Sequence, residues 1–298
     1  MRALVALLGF ILSLPLMAAD KKPLTKKESA KVIEAAIRKA AKRPTGELSK
    51  EDYRKVTKLD LSNNQLRDLT TLENLSQLEE LSVSVNGLSN LMPLDKLLQL
   101  KVLALHGYLF GNQFTPTTLP TGLDNLTQLK VLFINVALTD LESLEKLTQL
   151  EQLSLSLGNN GLTGLPKGLE KLTQLKVLVL NSNELADVEG LDKLTELTTL
   201  VLMGNQLIDV RGLGKLTKLT ILILNGNRLT QLPKGLANLK QLEYLDLRLN
   251  EITDVSDLKK LSTLTELQLS NNPSLTKAQI DELQKALPIC KIKHNAKK

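Results

Sequence analysis

Two histidines, His106 and His294, and one cysteine, Cys290, are the only imidazoles and the only thiol in a chain of 298 residues. A nucleophilic centre needs a hydroxyl or thiol beside a base that a third group orients, and a zinc site needs three or four nitrogen or sulfur ligands at ordinary spacing. Neither set assembles from these residues. Asp and Glu are plentiful, but they recur at repeating positions, the pattern of a solvated face. Gly204, Gly214 and Gly226 fall in repeated turns and not in a loop that cradles phosphate. The expectation is a protein without catalytic residues, metal ligands or a cofactor.

What remains is chemistry of recognition. His106, Tyr108, Phe110 and Phe114 crowd into one irregular stretch of a chain whose aromatic content is only 2%. A second group, Val177, Val179, Val201, Met203, Ile221 and Ile223, with Phe133 and Tyr244 further out, carries apolar side chains at positions that a strand would turn away from its core. Both groups depend on the elements that hold them.

Those elements repeat. The pattern LxxLxLxxNxL begins at Val56, Leu78, Leu100, Leu129, Leu150, Leu175, Leu197, Leu219, Leu242 and Leu264, at intervals of 22, 22, 29, 21, 25, 22, 22, 23 and 22 residues. In LxL the leucines alternate with other residues at period two, as on a short strand with one buried face. An Asn follows at 64, 86, 112, 160, 183, 205, 227, 250 and 272. Its side chain holds both a donor and an acceptor, so it satisfies backbone groups that a sharp inward turn strands in the core. The rest of each unit, as in "LIDVRGLGKLTKL", spaces apolar residues three apart, which suits a short 3₁₀ or irregular segment. One unit cannot bury its own leucines, so neighbours must stack and the open ends must be capped.

Cap signals stand at both ends. Thr25-Lys-Lys-Glu28 reads as a capping box ahead of a helix whose apolar face is Val32, Ile33, Ala36, Ile37 and Ala40, and Ser49-Lys-Glu-Asp52 starts a second short helix. Thr276-Lys-Ala-Gln279 opens a third, with Ile280, Leu283 and Leu287 at helical spacing before Pro288. Ile289 to Ile292 reads as a last strand and Lys293 to Lys298 as a solvated tail. A single cysteine excludes an intramolecular disulfide; Cys290 reads as a small buried hydrophobe in this cap, with a reactive thiol as the other reading.

"LTTLVLMGNQL" from Leu197, "LTILILNGNRL" from Leu219 and "LEYLDLRLNEI" from Leu242 resemble leucine-rich repeats, and the resemblance covers residues 56 to 275. The flanks "IEAAIRKAAKRPTGELSKEDYRKVTKLDLSNN" and "LQKALPICKI" are similar to the caps of bacterial extracytoplasmic members such as internalin-like proteins. The resemblance implies an α/β solenoid, a right-handed horseshoe with a concave parallel sheet, convex 3₁₀ or irregular segments and helical caps. The expected division is a signal peptide at 1–19, a helical cap at 20–55, ten repeats at 56–275 and a terminal cap with a basic tail at 276–298.

The leading segment has a charged start, an apolar run from Ala3 to Leu14 and small residues at Ala18 and Ala19, the layout of a secretory signal. An uncleaved membrane anchor is the rival reading, and contact with a membrane is expected only in that case. Without residues 1–19 the net charge is 37 − 32, or +5, and its distribution matters more than its sum. Residues 20–58 carry 13 basic against 6 acidic side chains and residues 285–298 carry five Lys, so the stretch between is 19 − 26, or −7. Basic ends around an acidic middle argue against nucleic acid, whose phosphates would want Lys and Arg along one face.

The repeat breaks in its third, fourth and fifth units, through "HGYLFG" and "TPTT", through Ala137 in place of Asn, and through "LGNNG". Insertions just after a strand lie at the rim, so the aromatics of the first break are either binding anchors or plugs for a disturbed core. The concave columns likewise leave two readings. Val177 to Ile223 form an interaction patch, or they reflect only the strand preference of Val and Ile. Asp60, Ser62, Ser154, Ser156, Gln268 and Ser270 fill the same positions in other units, so strand preference alone does not demand the patch. The function expected is that of an exported, monomeric scaffold that binds a protein through its concave face and rim loop. The alternatives are a binder of envelope glycan or peptidoglycan fragments, and a regulatory subunit of an enzyme such as a protein phosphatase.

Overall fold

The alternation at LxL produces short strands, and the Asn turn after each one returns the chain for the next. The computed structural model describes residues 23–84, 88, 92–107, 122–135, 141–156 and 161–297. Among them the strands are β1 (Lys58–Leu61), β2 (Glu80–Ser84), β3 (Val102–His106), β4 (Val131–Asn135), β5 (Gln152–Leu155) and β6 (Val177–Val179). The series continues with β7 (Thr199–Val201), β8 (Ile221–Ile223), β9 (Tyr244–Asp246), β10 (Glu266–Gln268) and β11 (Lys291–Lys293). All lie in one open parallel sheet in sequence order. Register carries each repeat onto the next without slip, for example Leu178↔Leu200↔Leu222↔Leu245. The return segments are 3₁₀ turns such as Leu191–Lys193 and Leu213–Lys215. The leading segment 1–19, Tyr108, Phe110, Phe114, Ala137, Asn86, Asn112 and Asn160 lie outside the described residues.

One continuous core runs the length of the stack, built almost wholly from leucines with no solvent exposure, such as Leu178, Leu200 and Leu222. The Asn ladder closes its turns. Asn205 Nδ2 donates to Leu202 O of its own turn at 3.0 Å and to Leu180 O of the preceding repeat at 2.9 Å, while its Oδ1 accepts from Leu185 N at 3.1 Å. Asn183, Asn227, Asn250 and Asn272 each bond both their own turn and the preceding repeat in the same way. Each side chain thus satisfies backbone groups of two coils, where an orphan would cost about 1–3 kcal/mol.

Both ends are covered. Helix α1 (Lys26–Ala40) starts at a complete Thr25/Glu28 capping box and buries Ile33 and Ile37. Val32 and Ala36 are half-buried, whereas Ala40, expected on the apolar face, is exposed and Ala41 is buried instead. Helix α2 (Lys50–Arg54) has the Ser49/Asp52 box and α3 (Lys277–Ala286) the Thr276/Gln279 box. The last strand begins at Lys291, and Ile289 is 71% exposed. Residues 293–297 are not the free tail that their lysines suggest. Asn271 N donates to Asn295 Oδ1 and Asn295 Nδ2 to Asn271 Oδ1, both at 2.7 Å; Lys277 N donates to Lys297 O at 3.1 Å; and Ala296 packs on the core. Two asparagines and one alanine tie a segment that composition alone marks as solvated.

Candidate concave binding face

The strand residues between the core leucines form the opposite face of the sheet, and in its middle they are apolar. Val179, Val201 and Ile223, aligned on β6, β7 and β8, form a second buried cluster apart from the leucine core, with Val177, Met203, Ile221 and Tyr244 packed around them. Six of the expected patch residues and Tyr244 are therefore in one cluster. Their exposure differs from expectation. Val179, Val201 and Ile223 are 0%, 4% and 6% exposed, because Val177, Met203, Ile221 and Tyr244 pack around them. Ser154, Asp246 and Gln268 in that same column are also buried, whereas Asp60 is exposed and Ser82 and Phe133 are half-buried. Val177, Ile221, Met203 and Tyr244 form the half-exposed ring that solvent or a partner reaches.

Phe133 stands apart on β4, half-buried, in register with Ala104 and Ser154. His106 is not in the loop to which its place in "HGYLFG" assigns it. It is the last residue of β3, paired with Ser84 and Asn135, and Ser82 Oγ lies 3.0 Å from its Nε2. Burial holds this imidazole below its ordinary pKa, against the opposing pull of the Asp60 carboxylate. Of the rim group only His106 is described; Tyr108, Phe110 and Phe114 lie outside the described residues.

Charges flank the apolar zone on one side only. Toward β9, Asp246 is buried and Arg248 grips it with Nε at 3.0 Å from Oδ1 and Nη2 at 2.6 Å from Oδ2. Burial, then Asp246 and Glu266, raise the pKa of the Tyr244 hydroxyl. The Asp246–Arg248 pair was not singled out from sequence, although "YLDLRL" places both on one face at period two. Between β6 and β8 the concave positions 177, 179, 199, 201, 221 and 223 carry no ionisable side chain. Among the described residues no group of three or more His, Cys, Asp or Glu is placed to hold a metal ion, and no helix is long and apolar enough to cross a membrane.

Sequence profiles described as leucine rich repeat match residues 153–207 and 217–273, a two-copy profile matches 195–238 and a single-repeat profile matches 55–76. The chain is a leucine-rich-repeat protein. This leucine-rich-repeat chain shares its fold with an internalin from Listeria monocytogenes, at 24% identity, a TM-score of 0.65 and coverage of 90% of both chains. A leucine-rich-repeat protein from Leptospira interrogans is similar at 23% identity and a TM-score of 0.55, over 84% of this chain and 81% of that one. A plant receptor-kinase ectodomain from Arabidopsis thaliana shares the fold at 24% identity and a TM-score of 0.52, over 76% of this chain and 34% of its own length. No curated protein matches the sequence.

Proposed function

We propose that this leucine-rich-repeat protein is an exported, non-catalytic scaffold that holds a protein partner on its concave face. The observation that carries the reading is the charge-free apolar zone across β6, β7 and β8, which packs on itself outside the leucine core. The stack does not need it: Ser154 and Gln268 occupy the same column without breaking the sheet. A zone depleted of charge with polar flanks has the composition of an interface centre and rim. The partner touches Val177, Ile221, Met203 and Tyr244, while the closed trio beneath gives that ring its shape. Sequence adds Tyr108, Phe110 and Phe114 as a second contact. The same fold in the plant receptor-kinase ectodomain was solved in complex with Casparian strip integrity factor 2, which supports protein recognition by fold alone. Export rests on the layout of residues 1–19.

The test is affinity capture from native-host envelope extract with the wild type and a folded Met203→Lys/Ile221→Lys variant as baits. Both substitutions lie in the half-exposed ring, so neither buries a charge in the sheet. A protein held by the wild type and released by the variant is the expected result. Equal capture by both baits would overturn the concave assignment.

A further inference from the structure

The apolar ring carries one polar atom with nothing to bond. The ladder of β8 continues past Ile223, since Leu202 N donates to Ile223 O at 2.8 Å and Gly204 N to Asn225 O at 2.9 Å. The alternation therefore places Asn225 on the same concave face as Ile221 and Ile223, level with Met203 on one side and Arg248 on the other. Asn225 is 8% exposed, and its Oδ1 is buried without a hydrogen-bond partner. Its counterpart two repeats earlier, Asn181, accepts from Ser156 Oγ at 2.9 Å. Neither neighbour in register bonds Asn225 Oδ1: Met203 has no side-chain donor, and Arg248 directs Nε and Nη2 to Asp246.

We infer that Asn225 Oδ1, brought to the surface by a turn of its side chain, is the acceptor for a backbone N–H of a partner segment that crosses the apolar ring in extended, uncharged form. This rests on the concave reading above and names the shape and chemistry of the contact. A buried acceptor without a partner is unfavourable, so the atom favours any occupant that brings a donor into a dry site. A helix has already spent its N–H groups internally, whereas an extended chain offers one every second residue toward the surface beneath it. Size agrees. The charge-free zone from β6 to β8 spans about 10 Å at ~4.8 Å per strand, which is the length of about three extended residues at ~3.4 Å each. The absence of ionisable side chains between β6 and β8 excludes a charged segment, because its charge would lose water and gain no partner.

The probe is a phage-displayed library of random linear twelve-residue peptides, selected on the purified protein and then synthesised for binding measurements. Selected peptides should share a short uncharged core and should bind the Asn225→Leu variant about ten-fold more weakly than the wild type. That variant should melt no lower than the wild type, since it removes an orphan and keeps the shape. N-methylation at one peptide position should weaken binding to the wild type by the same factor and have no further effect on Asn225→Leu. Equal binding to both proteins, with loss on Met203→Lys/Ile221→Lys, would overturn the Asn225 assignment and leave the concave reading standing. Binding that survives Met203→Lys/Ile221→Lys would overturn the concave reading itself. Selection of charged or helical cores only, or of no peptide, would overturn the extended, uncharged occupant.

Discussion

Asn183 and Asn205, one repeat apart, share a single acceptor: the carbonyl of Leu180 takes a hydrogen bond from Asn183 Nδ2 at 3.0 Å and from Asn205 Nδ2 at 2.9 Å. Both lone pairs of one buried oxygen are thereby used, and two coils are tied at one atom. The ladder that positions the concave face is made of such shared carbonyls.

Asn205→Ala should therefore lower stability by about 1–3 kcal/mol, because it strands Leu185 N and removes one of the two side-chain hydrogen bonds to each of the Leu180 and Leu202 carbonyls, which keep Asn183 and Asn227. Asn205→Asp should be no milder, since a carboxylate cannot donate to two carbonyls. Urea unfolding midpoints read the difference, and a loss below about 0.5 kcal/mol for either variant would contradict the ladder's energetic role.

Glycine substitutions should rank by backbone and by space. Gly164 has nothing within 4 Å of an added Cβ, Gly190 has φ +90° but only Glu170 Cβ at 3.8 Å, and Gly168 combines φ +81° with Glu145 Cβ at 2.4 Å. Replacement by Ala should cost little at 164, about 1 kcal/mol at 190 and more at 168. Thermal unfolding of the three variants checks the order.

Cys290 should be inert in the folded protein. Burial pushes its thiol up to about 11 from an ordinary 9.0, so at pH 8 about one thiol in a thousand is ionised. Iodoacetamide should label it only after denaturation. The raised pKa favours the protonated native form, so this contribution is complete below pH 9.0 and is lost as pH rises toward about 11.

His106 acts in the opposite direction. Its folded pKa lies below the ordinary 6.5, so the neutral native form contributes stability above that value and loses it as pH falls through the folded pKa. Between pH 7 and pH 5 the wild type should lose more stability than a His106→Gln variant. Parallel pH profiles for the two proteins would show that the imidazole does not titrate in this way.

Much of this architecture was legible because packing imposes its period on the sequence. Leucines at LxxLxL and the Asn that follows fixed strand, turn and stack, and the three capping boxes marked the helices that close the ends. The concave columns followed from alternation, which also assigned Val201 and Ile223 to one cluster. Their burial did not follow, because it comes from side chains of neighbouring repeats packing together and no single repeat encodes it. His106 was misplaced for a related reason: the third unit extends its strand beyond LxL, and the unusual letters after Leu105 read as loop. Asn225 left no mark, since an Asn beside a turn Gly looks like any other turn residue until its neighbours are found to lack a donor. The Lys-rich end concealed Asn295 and Ala296, which bind the last segment to the cap.

The most direct measurement is photo-crosslinking in native-host extract, with a benzophenone amino acid placed at Met203 in the concave ring or at Ile208, which is 70% exposed among the turn residues. The account predicts one protein adduct from position 203 and none from position 208. An adduct from position 208 alone would place recognition elsewhere on the solenoid and contradict the account.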